Sequence, residues 1–230
     1  MHTFLDCFAF MASHFGLLLD RTVDHLLLSA AAVAVALLLA LPLGVWLGHR
    51  GRGSFLTVSV SNIGRALPSL ALIAIFLGLL GIGFVNVMTA LVVMAVPPAL
   101  THAYLSVEQI DRDVVRAARG MGLTERQILT RIELPLALPV LFTGIRIAAV
   151  YVISSATLAA VAGGGGLGDI ILNQVSYGLS GVIAAALWVA ALALAADALF
   201  GLLGTRMSIT RTALRRQGGQ ARSQDDSCVP

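Results

Sequence analysis

Three ionisable side chains, Arg65, Arg146 and Asp197, stand within otherwise apolar stretches of this chain. A charge at that depth in hydrocarbon is costly and is normally kept for a buried pairing or a polar pathway. Arg65 and Arg146 also admit a second reading, because each falls toward one end of its stretch, from which a long side chain can snorkel to the interface. Asp197 lies deeper and calls for a buried partner that the sequence does not name. Other chemistry is scarce. The run Gly163-Gly164-Gly165-Gly166-Leu167-Gly168-Asp169 contains G-x-G-x-x-G, but a dinucleotide site needs a preceding strand and a following helix in a soluble unit. Here the run follows an apolar stretch, so it reads as a flexible external turn leading into a short re-entrant or interfacial segment over 170–179. No phosphate-binding G-x-x-x-x-G-K-[ST], zinc-binding H-E-x-x-H or nucleophile elbow occurs. The expectation is no catalytic residue, no metal site and no cofactor. His25, His49 and His102 are isolated near the ends of apolar stretches and read as interfacial. Cys7 and Cys228 lie at opposite ends and predict neither a disulfide nor a metal site.

The elements that carry these residues follow from composition. Hydrophobic residues make up 58% and charged residues 12%, with a mean hydropathy of +0.91, the balance of an all-α integral membrane protein. About 20 mostly apolar residues cross a bilayer as a helix. Five stretches qualify, over 25–48, 55–80, 85–105, 138–162 and 182–203. Residues 1–21 form an apolar N-terminal segment interrupted by Asp6 and His14. Its Phe4, Phe8, Met11, Phe15 and Leu18 share a face, which suits an interfacial helix. The basic residues are all arginine. They concentrate in the first inter-span loop (Arg50, Arg52, Arg65), in a long central loop over about 106–137, and in the tail over 206–230. By the positive-inside rule these regions are cytoplasmic and the N-terminus is outside. The net charge of +3 is therefore a membrane-edge pattern and not a nucleic-acid footprint. The tail is polar without apolar periodicity and is expected to be disordered. The span domain thus covers 22–205. In the fourth span Gly144, Ala148, Ser155 and Ala159 put small side chains on one face, which serves intrachain packing or a dimer interface equally well. Proline interrupts the first three spans at Pro42, Pro68 and Pro97-Pro98, where bending is expected.

The central loop has its own local logic. Val114, Ala117, Ala118 and Met121 recur at helical spacing, with Asp111, Arg112, Asp113, Arg116 and Arg119 on the other faces. Gly120 and Gly122 stop that helix. Thr124 with Gln127 three residues on is a capping-box pattern, and Leu123 and Ile128 flank it as a hydrophobic staple. A second short helix over 125–133 then ends at Leu134, before Pro135. The result is two short helices hinged at glycine. It reads either as a hairpin lying on the membrane surface or as a docking element. Docking is preferred because the small residues Ala117, Ala118 and Gly122 would let a partner's backbone come close.

The pattern Ala117-Ala118, three residues, Gly122, nine residues, Ile132-x-Leu134-Pro135 resembles the "EAA" coupling loop of bacterial ABC importer permeases. Arg116 stands where that family usually has glutamate, which removes the salt bridge that residue would make to the ATPase. Further stretches resemble the branch importing glycine betaine, carnitine, choline and related osmoprotectants: residues 62–72, from Asn62 to Leu72, then Arg119-Gly120-Met121-Gly122, Glu133 to Pro139, and Gly163 to Asp169. The resemblance implies a five-span permease core like that of methionine-type importers, paired as a homodimer or with a sister permease in the bacterial inner membrane. It also implies an ATPase subunit inside and a separate substrate-binding protein outside. Arg116, Ala117, Ala118, Gly120, Gly122, Ile132, Leu134 and Pro135 would then contact the ATPase. Asn62, Arg65, Pro68, Arg146 and Asp197 are the candidates for the translocation pathway. With 6% aromatic residues, a pathway of low selectivity is expected, with an aromatic cage in the binding protein recognising a quaternary ammonium. Importers of methionine, a sulfonate or a thiol-histidine betaine are the alternative solute classes. An ATP-independent carrier would need internal repeats, and none is evident.

Overall fold

The computed structural model describes residues 2–225, with side chains over 6–64 and 66–204. The described chain is all helical. A short α1 (His2–Ser13) breaks at His14 and is followed by the long α2 (Phe15–His49). The bent pair α3 (Ser54–Ala66) and α4 (Ser69–Leu80) precedes α5 (Phe84–Glu108). The central loop carries α6 (Arg112–Gly120) and α7 (Glu125–Ile128). A π-helical turn (Leu129–Glu133) leads from α7 into α8 (Leu134–Ser155). A 3₁₀ stretch (Ala156–Ala162), α9 (Gly168–Leu172) and α10 (Gln174–Asp225) complete the order. Side chains from Thr205 onward and all of 226–230 lie outside the described residues, and with them the expected disorder of the tail.

Among the described residues, four helices are long and apolar enough to cross a membrane: Phe15–His49, Phe84–Glu108, Glu125–Ala162 and Gln174–Gly204. The expected second span is instead two helices, Ser54–Gly64 and Ser69–Leu80, bent by 91°, and counting the pair as one broken span makes five. The cause is local. Leu67 is extended (φ −76°, ψ 119°), as a residue before proline prefers, and Pro68 then opens α4. The other prolines do not interrupt. Pro42 lies inside continuous α2, Pro97 and Pro98 inside α5, and Pro139 inside α8. The first span also starts earlier than its apolar run suggests, because α2 reaches back through Asp20 and Asp24 to Phe15.

The centre of the bundle is a seam of small residues. Ala32, Ala36, Ala40, Gly44 and Gly48 recur every four positions along α2 and are all buried. A Cβ at Gly44 would stand 2.5 Å from Ala103 Cβ, and one at Gly48 would stand 2.7 Å from the Tyr104 carbonyl oxygen. Lipid is as apolar as leucine, so close backbone approach, not water exclusion, holds such helices together. The small face of α8 does the same within the chain: Gly144 meets His102 of α5, and Ala148 joins Ala40, Ala99 and Leu100. At the N-terminus α1 packs against α10. Phe10 meets Tyr177 edge-on at 6.4 Å, while Phe15 of α2 meets Trp188 at 5.9 Å.

Candidate functional site

The central loop forms the glycine-hinged elbow that its sequence predicts. Asp111 caps α6 by accepting from the Asp113 amide. The turn passes through Gly122 at φ +83°, a left-handed backbone that favours glycine. Thr124 and Gln127 complete the capping box reciprocally. Two expectations are corrected. The second arm does not end at Pro135: α7 passes through the π turn directly into α8, so elbow and fourth span are one rod from Glu125 to Ala162. Pro135 is tolerated because it sits in the first turn of α8, where a missing N–H costs least. The buried stripe is also displaced. Val115 and Ala118 pack on Ile128 with Leu123 and Ile132, so Ala118 is sealed inside the elbow and cannot meet a partner. Val114 and Met121 are left outside at 42% and 72% exposure.

The outward face therefore carries Val114, Ala117 and Met121 at i, i+3 and i+7, beside exposed Gly120 and Gly122. A Cβ at either glycine would meet nothing within 4 Å. Arg116 is exposed and pairs with Asp113. Ile132 is half-buried in the elbow core, Leu134 joins the cluster of Ala103, Val107, Ala137 and Leu141, and Pro135 is exposed. Arg119 donates to both Glu125 oxygens at 2.8 and 3.0 Å. That hydrogen bond, ahead of the Coulomb attraction, raises the Arg119 pKa and holds the Glu125 carboxyl below its ordinary value.

The pathway candidates divide into separate places. Arg146 does not snorkel free: its guanidinium grips Asp197 of α10 through Nε and Nη2, both at 2.5 Å. This supplies the partner that the sequence left unnamed. Arg146 lines a hollow of about 230 Å³ between α8 and α10, with Pro139, Phe142 and Phe200. A different face of α8 contributes Ile147 and Tyr151 to a cleft of about 400 Å³ shared with Ser61, Gly64, Pro97 and His102. Asn62 and Pro68 are exposed on the bent pair that forms one wall of this cleft, and the Arg65 side chain lies outside the described residues. The structure thus separates Arg146 and Asp197 from Asn62 and Pro68.

The histidines are bonded, not merely interfacial. His102 Nδ1–H donates to the Pro98 carbonyl and His25 Nε2–H to that of Ile153, each at 2.9 Å. His49 Nδ1–H donates to the buried Glu133 carboxylate at 2.5 Å. Sequence reasoning missed His49 and Glu133, which lie 84 positions apart, too far for any periodic signal. The glycine run over 163–168, expected as a flexible turn, is packed at Gly164, Gly166 and Gly168. Gly166 lies against His25, and Gly168 lies against the Thr157 backbone. Arg21 holds Asp169 at 2.9 Å. The expected single segment over 170–179 is broken, at Asn173 and again at Gly178 (φ 65°, ψ 176°).

Residues 40–209 match the family model described as the binding-protein-dependent transport system inner membrane component. The choline transport system permease protein OpuBB of Bacillus subtilis (strain 168) is 38% identical over 179 residues, 76% of this chain and 82% of that protein. The carnitine transport permease protein OpuCB of Listeria monocytogenes is 34% identical over 204 residues, covering 88% and 94% of the two chains. A solved structure of the MetNI methionine ABC transporter in an inward facing conformation superposes with a TM-score of 0.71 at 22% identity, over 83% of this chain and 96% of that one. That likeness concerns the fold alone.

Proposed function

The chain belongs to the family of binding-protein-dependent transport system inner membrane components, and from that premise we propose that it is the permease subunit of an ATP-driven importer for quaternary-amine osmoprotectants such as choline, glycine betaine or carnitine. It is a transport subunit, not an enzyme, and ATP is hydrolysed on a separate chain. The observation that carries the solute class is the 34–38% identity to permeases named for choline, for glycine betaine/carnitine/choline, and for carnitine, over three-quarters or more of this chain.

The elbow is the ATPase-docking element. Its support is physical: a charged helix whose apolar stripe of Val114, Ala117 and Met121 faces away from its own core lacks the burial that an amphipathic helix ordinarily finds. A groove on a cytosolic ATPase supplies that burial. With arginine at position 116, docking rests on shape and apolar contact and not on a salt bridge from that position. The bent pair is the remaining span of a five-span core, the N-terminus is outside, and a second permease copy or a sister permease completes the pathway along the cleft lined by Ser61, His102 and Tyr151. ATP-driven movement of the elbow alternates the side to which that pathway opens. A substrate-binding protein delivers the solute from outside.

The test is uptake of radiolabelled choline, glycine betaine, carnitine and methionine into proteoliposomes holding this chain with its cognate ATPase and solute receptor. ATP-dependent accumulation of one or more quaternary amines, with none of methionine, is expected. Accumulation of methionine alone would overturn the solute class.

A further inference from the structure

The elbow meets the first span through a chain of polar contacts. Glu133, in the π turn, is 2% exposed, and its carboxylate accepts from His49 at the cytoplasmic end of α2 at 2.5 Å. The other ring nitrogen of His49 stands 3.5 Å from Glu125, which holds Arg119 of α6 by both oxygens. The chain therefore runs from the outer arm of the elbow, through the turn that joins it to α8, to the last residue of α2. Burying a carboxylate is unfavourable unless it is paired, and apolar side chains of similar volume in place of both partners of such a pair often hold a fold as well or better. The π turn itself is a helix irregularity of the kind that clusters at functional sites. Beyond His49, α2 is seated against α5 through Gly44 and Gly48 so closely that no methyl group fits between them. A displacement delivered to His49 is therefore carried by α2 and α5 as one body.

We propose that the His49–Glu133 pair, continued through Glu125 to Arg119, is the joint that passes movement of the elbow to the α2–α5 body and so couples ATP hydrolysis to transport. The proposal rests on the reading of the elbow as the ATPase-docking element. His49 and Glu133 are positioning residues, touching neither solute nor nucleotide. The rival role is a staple that merely neutralises a buried charge.

The two roles separate in the ratio of solute taken up to ATP hydrolysed by the reconstituted importer. With His49→Leu the ratio falls by about tenfold, within the usual range for coupling between sites, while ATP hydrolysis and co-purification of the ATPase persist. His49→Asn, which keeps a donor near the Nδ1 position, retains the ratio to within about twofold. The double variant His49→Leu/Glu133→Met removes the unpaired buried charge and so folds even where the single variant does not. Its ratio stays low if the pair is a joint. Restoration of the ratio in the double variant would overturn the proposal, and so would uptake and hydrolysis falling in proportion, or loss of the ATPase from the His49→Leu complex. Failure of the ATPase to co-purify with the unaltered chain would remove the docking reading itself.

Discussion

Glycine breaks the chain at both ends of the fourth span, and the two sites use it for opposite purposes. In the run after that span, side chains added at two of the glycines would collide: a Cβ at Gly164 would stand 2.9 Å from both Ala159 and Val87, and one at Gly168 would fall on the Thr157 carbonyl. In the elbow before that span, a Cβ at Gly120 or Gly122 would project into open space. Gly164 and Gly168 permit close packing within the chain. Gly122 sets a backbone angle, and nothing in the described chain fills the space beside it. A glycine-rich string is thus not one signal, and its neighbours decide whether it serves packing or access.

The largest effect is expected on the packed side. Gly168→Val should cost about 3 kcal/mol or more, since overpacking against backbone leaves little room to relax. Recovery of folded protein from membranes should collapse, and normal yield with an unchanged melting temperature would break the contrast. Gly122→Leu should instead leave a folded protein, weakened by about 1–2 kcal/mol for the left-handed backbone, with ATP-driven uptake abolished. Melting followed by circular dichroism, paired with proteoliposome uptake, checks both halves, and normal uptake would refute docking at this turn. Met121→Asp adds a charge to an exposed position and should leave stability unchanged. It should lower co-purification of the ATPase by about tenfold, the scale of a central interface residue. Gly120→Ala, at a helical position with free space, should raise stability by up to about 1 kcal/mol, and a fall would show hidden crowding there.

The smallest effect concerns pH. The Glu125 carboxyl is held below its ordinary value by the hydrogen bond from Arg119. Its contribution is therefore present above the ordinary carboxylate pKa and lost as pH falls through the lowered one. The pair is exposed, so the effect is small and salt-sensitive. The melting difference between the unaltered chain and Glu125→Gln should be positive at neutral pH and vanish in acid. A difference that grows in acid would contradict the pairing.

Some of this was legible from local pattern. The cap at Thr124 and the turn at Gly122 involve residues a few positions apart, so sequence spacing encodes them, whereas Asp111, read as part of the helix face, is its cap. The break at Pro68 was legible for the same reason, whereas Pro42 and Pro97-Pro98 misled because neighbouring helices keep those helices continuous. The four-residue spacing of Ala32, Ala36, Ala40, Gly44 and Gly48 was visible and went unread. The phase of the α6 stripe was misjudged by about one residue, or 100° of helix, because Val114 and Val115 are equally apolar and only the position of Ile128 selects between them.

What the sequence determined alone is the inventory of elements: apolar runs of spanning length and a capped, glycine-turned elbow. Each depends on short-range backbone chemistry or on average hydropathy. Only the tertiary structure decided which residues meet: Arg146 with Asp197, His49 with Glu133, Arg21 with Asp169. Those contacts join residues 51, 84 and 148 positions apart. At such separations helix packing, not local spacing, brings the polar partners together.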